Sequence, residues 1–357
     1  MRKSLLARAL AVMAVSAIAL TGCTAAGSLA SGPDHKPFIA LSNSFIGNGW
    51  RQSMVNQFTA AATKAQKAGQ ISGFKVSNAP GDNSATEQIS QIKTLLLQKP
   101  DILLIDPASP SALTPVIQQA CSIGVKVIIF DSGSSAPCVT IVTNSFPDWA
   151  TTSTEAVVKA MGGKGNLLIS RGVVGSAPEA EYYAAQKKVL TKYPNVKVVG
   201  QVTGLCDSAT AQKAVLGVLS SLPKIDGVAG CGDGFGIAQA FLTAHRKIPA
   251  VTFEPQGRAL QFWAKNANGT GSIAIMSDPG QAVAAMYTAL EITNGVTVPH
   301  TVVFPSVTIT EAQRNLWLPH VPVDQFAAWP WTASLVKTQI AADKNGTTAA
   351  LPPIPGS

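Results

Sequence analysis

The sequence has few of the residues that usually carry out chemistry. Charged residues make up only 13% of its 357 positions, and it contains only four histidines. These histidines do not follow the H-E-x-x-H or Cys/His spacing of metal sites, and no G-x-S-x-G nucleophile turn or P-loop occurs. We therefore predict that the chain has no catalytic residue, no metal ion and no cofactor.

The charge that is present does not form a surface for nucleic acid. The formal net charge is +8, but Arg2, Lys3 and Arg8 lie in a segment that we expect to be removed, which leaves 24 basic and 19 acidic residues. These charges are scattered, without a run of five like charges, so we predict no nucleic-acid partner. A hydrophobic content of 46% over this length fits a globular chain with two domains.

Long apolar runs are absent except near the N-terminus. Residues 9–20 are apolar apart from Ser16, follow a basic start and are too short to span a bilayer comfortably. The run ends in Leu-Thr-Gly-Cys at residues 20–23, which resembles a bacterial lipobox, with an ordinary secretory signal as the alternative. We predict a signal peptide over residues 1–23, lipidation of Cys23 and a tether over residues 24–36. The protein is then expected in the periplasm or on the cell surface, held at the membrane only by its lipid anchor.

Cysteine usage agrees with export. Apart from Cys23, the chain has four cysteines, Cys121, Cys138, Cys206 and Cys231. An even number in an oxidising compartment predicts two disulfides, with buried free thiols as the alternative. Proximity in sequence favours Cys121 with Cys138 and Cys206 with Cys231 among the three possible connectivities.

Short apolar runs alternate with segments of helical periodicity along most of the chain. This alternation restarts near residue 153, which predicts two doubly wound α/β lobes, each a parallel sheet with helices on both faces. Ligands bind to such sheets beyond the carboxyl ends of the strands. Polar residues follow most of the predicted strands, at Asn43, Ser44, Asp106, Asp131, Ser132, Arg171, Asp207, Asp233 and Glu254.

Several stretches, in their order and spacing, resemble the ribose- and galactose-type periplasmic sugar-binding proteins of the periplasmic-binding-protein-like I superfamily. The resemblance extends over about residues 37–295, although no single stretch is specific by itself. The stretches are 82–91 (DNSATEQISQ), 101–107 (DILLIDP), 124–131 (GVKVIIFD), 162–166 (GGKGN) and 233–240 (DGFGIAQA).

The resemblance implies a Venus-flytrap of periplasmic binding protein type I, whose two lobes close over a ligand about a three-strand hinge. We expect the hinge crossings near residues 143–144, 276–277 and 297–301. The aromatic-rich residues 315–331 are expected to pack in the core, with a cover over the hinge or a surface contact as the alternatives. The expected division is a first lobe of 37–143 plus 277–300, a second lobe of 144–276 plus 301–335, and a C-terminal tail of 336–357.

The resemblance also implies which residues contact the ligand. Asp131 matches the family's aspartate after the fourth strand, which accepts hydrogen bonds from ligand hydroxyls, and Ser132 follows it. Asp233 and Glu254 match polar positions at strand ends of the second lobe. Asp278 lies near the final crossing and is expected to be either a ligand group or part of the hinge.

The first strand-to-helix loop is the place where the family carries an amide and a ring-stacking aromatic. In this sequence the loop contains Asn43, Ser44, Phe45 and Trp50. The alternative for Trp50 is a helix-start residue that packs beneath the loop. We predict that these four residues contact the ligand.

The sequence departs from the ribose-type pattern at two positions. The arginine that the family places in the second lobe falls at about Ala180, with Glu179 and Tyr182 as the nearest polar groups and Arg171 as a residue that could reach in instead. The family's glutamine before the second crossing is replaced by Ile275 or Met276. These departures argue against ribose and galactose themselves and include Arg171 and Glu179 among the candidate ligand contacts.

The resemblance therefore predicts a solute-binding protein of an ABC importer. It would capture a small polar molecule, a monosaccharide or polyol, and deliver it as a monomer to a permease with its ATPase. One alternative is a subunit that presents the solute to a chemoreceptor or sensor kinase. Another is a binder of cationic or amino-sugar-like solutes, since the candidate residues lean acidic.

Overall fold

The computed structural model describes residues 35–79, 83–172, 174 and 177–355, without the side chains of residues 177 and 178. The predicted signal peptide, the predicted lipidation site Cys23 and residues 24–34 of the predicted tether lie outside these residues. Within the described ranges, none of the helices combines the length and the apolar character that crossing a membrane requires.

Strands and helices alternate along the chain. The first elements are β1 (Phe38–Asn43), α1 (Gly49–Lys67), β2 (Gly73–Asn78), α2 (Ala85–Leu96), β3 (Ile102–Asp106), α3 (Thr114–Ser122), β4 (Lys126–Phe130) and β5 (Thr140–Asn144). Next come α4 (Phe146–Ala160), β6 (Gly165–Arg171), α5 (Ala177–Leu190), β7 (Val196–Thr203), α6 (Ser208–Leu219), β8 (Gly227–Ala229), α7 (Gly234–Thr243), β9 (Ala250–Phe253), α8 (Gly257–Asn266) and β10 (Ile273–Met276). The last are α9 (Gln281–Thr293), β11 (Thr301–Phe304), β12 (Val307–Ile309), α10 (Glu311–Trp317), a 3-10 turn (Leu318–His320) and α11 (Ala333–Lys344).

The strands form two separate sheets, one in each lobe. The first sheet has the order β11-β5-β4-β3-β1-β2, and its neighbouring strands are parallel. The second has the order β12-β10-β9-β8-β6-β7 and is parallel except for the antiparallel pair of β10 and β12. The prediction of two doubly wound parallel-sheet lobes is confirmed.

Successive residues of a strand point to opposite faces of the sheet, and both faces of the first sheet are buried. Ile39 and Leu41 of β1 belong to the same cluster of buried residues as Met54 and Phe58 of α1. Ala40, between them in sequence, belongs to a second cluster with residues of β3 and α3. The continuous apolar pattern of the central strands follows from this burial on both faces.

The chain crosses between the lobes at three places that correspond to the hinge of the sequence prediction. The first crossing joins β5 to α4, and the second joins β10 to α9. The third lies at residues 305–306, between β11 in the first sheet and β12 in the second. The sequence predicts this crossing at 297–301 and residues 301–304 in the second lobe. The structure differs because Pro305 lacks the N–H that would continue the β11 ladder, so the strand ends at Phe304.

The chain also crosses a fourth time, through residues 321–332, which we call the return segment. It begins after the 3-10 turn beside α8 in the second lobe and ends at α11, which packs on α9 and β11 in the first. Trp329 and Trp331 of this segment are buried. Residues 333–344 therefore form a helix of the first lobe, whereas the sequence predicts them partly in the second lobe and partly in a tail.

Two polar side chains connect the four crossings. Asn144 donates from Nδ2 to the Phe304 carbonyl at 2.6 Å and accepts from the Asp278 backbone N–H at 3.1 Å. The Asp278 carboxylate accepts from Trp331 Nε1 at 2.6 Å and from the Trp329 N–H at 3.3 Å. Because these residues come from four different crossings, the hinge is held as one hydrogen-bonded unit.

Both predicted disulfides are present, and they confirm the favoured pairing. Cys121 is bonded to Cys138, between α3 and the loop after β4. Cys206 is bonded to Cys231, which joins the loop after β7 to the loop after β8. The second bond therefore connects two loops at the carboxyl end of the second sheet.

Candidate ligand-binding cleft

The carboxyl ends of both sheets border the space between the lobes. The first crossing leaves the carboxyl end of β5, and the second leaves the carboxyl end of β10. The third leaves β11 at Phe304, opposite Asn144, and enters β12 at Val307, opposite Met276. Since all three crossings lie at carboxyl ends, the residues that follow the strands lie on the sides of the two lobes nearest the hinge.

Arg51 is the centre of a polar cluster in the first lobe. Its Nη1 donates to Asn43 Oδ1 at 3.0 Å and forms an ion pair with the buried carboxylate of Asp106. Asn43 in turn donates to Asn78 Oδ1 at 2.9 Å. Asn48 caps α1 by accepting from the Arg51 backbone N–H at 2.8 Å, which fixes the start of the helix that carries the guanidinium. Three strand ends and one helix start therefore bring these side chains together.

Asp131 lies beside this cluster and has an unusual backbone conformation. Its φ of 63° is in the left-handed region, which few residues other than glycine adopt. Desolvation raises the pKa of the Asp131 carboxyl, and the Arg51 charge and hydrogen bonds from Gln281 and Ser277 oppose this rise. Arg51 thus faces two carboxylates, which gives this part of the first lobe both donors and acceptors for hydroxyl groups.

Two aromatic residues flank the polar cluster. Trp50 is 8% exposed, and its Nε1 donates to the Ser277 carbonyl in the second crossing at 2.8 Å. The Arg51 guanidinium lies over the Trp50 ring at 5.6 Å from the ring centre. Phe45 is partly exposed, and its ring packs on Gly47, where an added Cβ would come within 2.4 Å of Phe45 Cζ. The loop therefore holds one anchored aromatic residue and one that is accessible.

Arg171 and Glu179 pair with each other in the second lobe. Arg171 Nε donates to Glu179 Oε1 at 2.5 Å, and its Nη1 donates to Gln201 Oε1 at 3.2 Å. The guanidinium also lies 3.5 Å from the centre of the Tyr183 ring. The charges of both candidates are thus satisfied largely within their own lobe.

Asp233 is buried in a network at the carboxyl end of β8. Its Oδ2 accepts from Ser170 Oγ at 2.5 Å, and Oδ1 has no hydrogen-bond partner among the residues that the structure describes. Burial, with a smaller contribution from the nearby Glu254 and Asp207, raises the pKa of Asp233 to about 7 against the opposing hydrogen bond from Ser170. Gly204 is required beside it, because an added Cβ would lie 2.3 Å from Asp233 Oδ2. Asp233 is therefore a second-lobe candidate whose Oδ1 is still available to accept a hydrogen bond from a ligand.

Glu254 follows β9 and contacts two helix starts. Its Oε1 accepts from Ser208 Oγ at 2.6 Å, and its Oε2 accepts from the Phe235 backbone N–H at 3.2 Å. Burial raises the pKa of Glu254, and these hydrogen bonds oppose the rise. Both oxygens thus have partners within the second lobe, at the first turns of α6 and α7.

Asp278 and Ser132 differ in their burial and in their partners. The Asp278 carboxylate is fully buried and contacts the return segment, which indicates a hinge position. Burial raises the pKa of Asp278 to about 7, and donors from Trp331, Gly280 and Trp329 oppose this rise. Ser132 is partly exposed and lines a cavity of about 610 Å³ between the lobes, together with Phe146 and Glu181 of the second lobe.

The sequence predicts Asp106 as a polar residue at a strand end but not as a ligand contact, and it does not identify Arg51 or Gln281. Arg51 directly follows Trp50, so its place on the first turn of α1 was the signal that could have identified it. Asp106 follows a strand but has no distinguishing neighbour in sequence. Gln281, which contacts Asp131, carries no sequence signal because the two residues are 150 positions apart. Across the described ranges, no three histidine, cysteine, aspartate or glutamate side chains form a group that could hold a metal ion.

The raised pKa of Asp233 predicts a pH-dependent stability. A carboxyl whose pKa rises to about 7 on folding binds a proton more tightly in the folded state. The free energy of unfolding should therefore decrease as the pH rises from about 5 to about 7. Asp233 contributes at most about 1.4 kcal/mol per pH unit to this decrease. We expect Asp233→Asn to flatten this fall, as measured by urea unfolding at pH 5, 6, 7 and 8.

The control for this measurement is Glu155→Gln. The pKa of Glu155 is lowered by hydrogen bonds from Lys159 and Lys192, so its effect on stability lies at more acidic pH. This variant should keep the wild-type slope between pH 5 and pH 7. Equal slopes for wild type and Asp233→Asn would show that Asp233 is ionised throughout this range.

Two parallel-sheet lobes with polar strand ends around a shared hinge define a two-lobed binding protein. The family model described as "Periplasmic binding protein domain" matches residues 39–296. The chain belongs to this family.

Solved and curated relatives agree with this assignment. An ABC transporter solute binding protein from Thermobispora bispora is 58% identical and superposes with a TM-score of 0.81, over 90% of this chain and 100% of the other. A xylitol-binding protein from Mycolicibacterium smegmatis is 29% identical over 48% of this chain and 50% of its own length. A D-apiose import binding protein from Actinobacillus succinogenes is 25% identical over 54% of this chain and 64% of its own length. The chain thus spans about half to two thirds of these curated relatives.

These findings confirm the resemblance to periplasmic sugar-binding proteins and the type I fold. The relatives named above are binding proteins, in agreement with the prediction that the chain is a solute-binding protein and not an enzyme. They also agree with the coarser prediction of a place outside the cytoplasmic membrane.

Proposed function

We propose that this protein is the extracytoplasmic solute-binding component of an ABC importer and captures a monosaccharide or polyol between its lobes. The observation that carries the proposal is the first-lobe cluster of Asn43, Arg51, Asp106 and Asp131 beside Trp50. Such a cluster offers charged donors and acceptors around an aromatic face, which is the chemistry that recognises a ring of hydroxyl groups. The xylitol and D-apiose relatives support the same ligand class.

The second lobe supports a neutral ligand rather than a cationic one. Glu179 pairs with Arg171, and both oxygens of Glu254 accept hydrogen bonds. Asp233 has a pKa of about 7 and so carries only part of a negative charge near neutral pH. The Arg171 charge and the partial protonation of Asp233 therefore reduce the negative charge that the sequence alone suggested for the cleft, and we favour sugars and polyols over amino-sugars.

The ligand contacts that we propose come from both lobes. In the first lobe they are Asn43, Ser44, Phe45, Trp50, Arg51, Asp131 and Ser132. In the second lobe Asp233 is the principal contact, because its Oδ1 is buried without a partner in the part of the chain that the structure describes. Arg171, Glu179, Glu254 and Asp278 shape the loops around the ligand through the partners given above.

The delivery of the solute follows from the same proposal. A diacylglycerol on Cys23 and the tether that follows would keep the protein, as a monomer, close to a membrane permease and its ATPase. The exported form would lie outside the cytoplasmic membrane, with no membrane contact other than the lipid. Metabolic labelling with a palmitate analogue tests the anchor, because Cys23→Ser should abolish the label.

A thermal-shift panel tests the ligand class. The purified protein is heated with pentoses, hexoses, polyols, amino-sugars and amino acids. A ligand at a hundred times its dissociation constant should add about 2.7 kcal/mol, which raises Tm by very roughly 5–10 °C. A shift confined to sugars or polyols supports the proposal. A shift confined to amino acids or amino-sugars would overturn the ligand class.

A further inference from the structure

Gln281 is buried at the start of α9 and directs its whole side-chain amide at Asp131. Gln281 Oε1 accepts from the Asp131 backbone N–H at 3.2 Å, and Nε2 donates to Asp131 Oδ1 at 3.3 Å. Gln281 has no exposed surface, so its amide does not hydrogen-bond with bulk water. Two hydrogen bonds from one rigid amide fix both the backbone and the side chain of Asp131.

This contact matters because the backbone of Asp131 is strained. With φ at 63°, Asp131 adopts a left-handed conformation that costs free energy for a residue with a side chain. Its N–H also donates to the Val142 carbonyl of β5 at 3.2 Å. Partners from α9 and β5 thus hold the residue in this conformation, from which its carboxylate meets the Arg51 cluster.

The same hinge crossing also contacts Trp50, the buried aromatic residue beside the polar cluster. Ser277 opens the crossing, and its carbonyl accepts from Trp50 Nε1 at 2.8 Å. Gln281 closes the crossing four residues later. The segment that connects the lobes therefore fixes both an aromatic side chain and a carboxylate of the proposed ligand site.

We propose that Gln281 is a positioning residue for solute binding, which holds Asp131 in the one orientation that suits the hydroxyls of the ligand. This inference rests on the proposed function, because it assumes that Asp131 contacts the solute. It assigns to Gln281 a part of the selectivity between epimers, since a mobile carboxylate would accept hydroxyls of either orientation.

A double-mutant cycle tests the inference with the ligand found in the thermal-shift panel. Gln281→Met keeps the length of the side chain and removes the amide. We expect it to weaken binding about tenfold in the wild-type background and less than about twofold in the Asp131→Ala background. We also expect a smaller ratio of affinities between two epimers. Equal losses in both backgrounds would show that Gln281 acts only on the fold, and would overturn the inference.

The matched control is Gln339→Met. Gln339 is a buried glutamine of the same lobe whose Nε2 donates to Asp343 Oδ1 at 3.1 Å, away from the polar cluster. This variant should lower stability without changing the affinity or the epimer ratio. A loss of affinity as large as that of Gln281→Met would overturn the assignment of a specific role to Gln281.

A measurement without ligand separates this inference from the proposed function. The Asp131 carboxyl is followed by carbon-13 NMR during a pH titration of the wild type and Gln281→Met. Loss of the Nε2 donor should raise the Asp131 titration midpoint, and an unchanged midpoint would overturn the inference. If the midpoint rises but no sugar or polyol binds, the contact stands and the proposed function is wrong.

Discussion

Asp131→Ala is expected to weaken solute binding by about a hundredfold or more. A carboxylate that accepts ligand hydroxyls contributes about 1.5–3 kcal/mol per hydrogen bond, and its removal also leaves Arg51 with one acidic neighbour instead of two. Alanine is additionally disfavoured at a φ of 63°, so the loop itself should relax. Isothermal titration calorimetry with the panel ligand measures the loss directly.

Two further variants make this result specific. Asp131→Asn tolerates the left-handed backbone better than alanine and keeps an oxygen for Gln281, so it should lose less affinity than Asp131→Ala. Asp101→Asn is the matched control, because Asp101 lies just before β3, at the opposite end of the same sheet, and pairs with His35. It should bind as the wild type does. Wild-type affinity in Asp131→Ala would show that the ligand does not contact this carboxylate.

Asp278→Ala is expected to lower the free energy of unfolding by about 3–5 kcal/mol. The carboxylate accepts from Trp331 Nε1 at 2.6 Å, the Gly280 N–H at 2.7 Å and the Trp329 N–H at 3.3 Å. All three donors would lose their acceptor in a buried site. Since two of them belong to the return segment, we expect that segment to detach from the hinge. Urea unfolding followed by tryptophan fluorescence reports both effects.

Trp331→Phe separates the contribution of one hydrogen bond from that of all three hydrogen bonds to the Asp278 carboxylate. It removes the Nε1 donor but keeps a ring against Phe304, whose centre lies 4.7 Å from that of Trp331. We expect a loss of about 1 kcal/mol in the wild-type background and a smaller loss in Asp278→Ala. An Asp278→Ala variant as stable as the wild type would mean that Asp278 does not hold the hinge together.

The two predictions concern residues that the sequence placed in the same category. Asp131 is a candidate because it matches the family's aspartate after the fourth strand, and Asp278 because it lies near the final crossing. The structure distinguishes them through their partners. Asp131 is partly exposed beside a guanidinium, whereas Asp278 has no exposed surface and accepts three N–H groups. Spacing along the chain carries no information on burial of this kind.

Sequence spacing is also insufficient to assign the last strands and the last helix to a lobe. Residues 301–309 have the alternating pattern of a single strand, yet β11 and β12 belong to different sheets. Alternation fits a strand in either lobe, and only the packing of α11 on α9 and β11 requires the chain to return to the first lobe. Both disulfides, by contrast, could be predicted, because their partners are close in sequence, 17 and 25 residues apart.

The sequence by itself determined the two-lobed α/β fold, the strand ends that carry polar residues and the pairing of the cysteines. These features depend on local periodicity and on short separations, which one sequence records. Only the tertiary structure decided which of those polar residues meet. Arg51 and Asp106 lie on a helix and a strand that are 55 residues apart in sequence and that the fold brings into contact. Gln281 reaches Asp131 across 150 residues, because the chain returns to the first lobe through the second crossing. The fold therefore follows from local patterns, whereas the candidate site depends on long-range contacts that form when the chain crosses between its lobes.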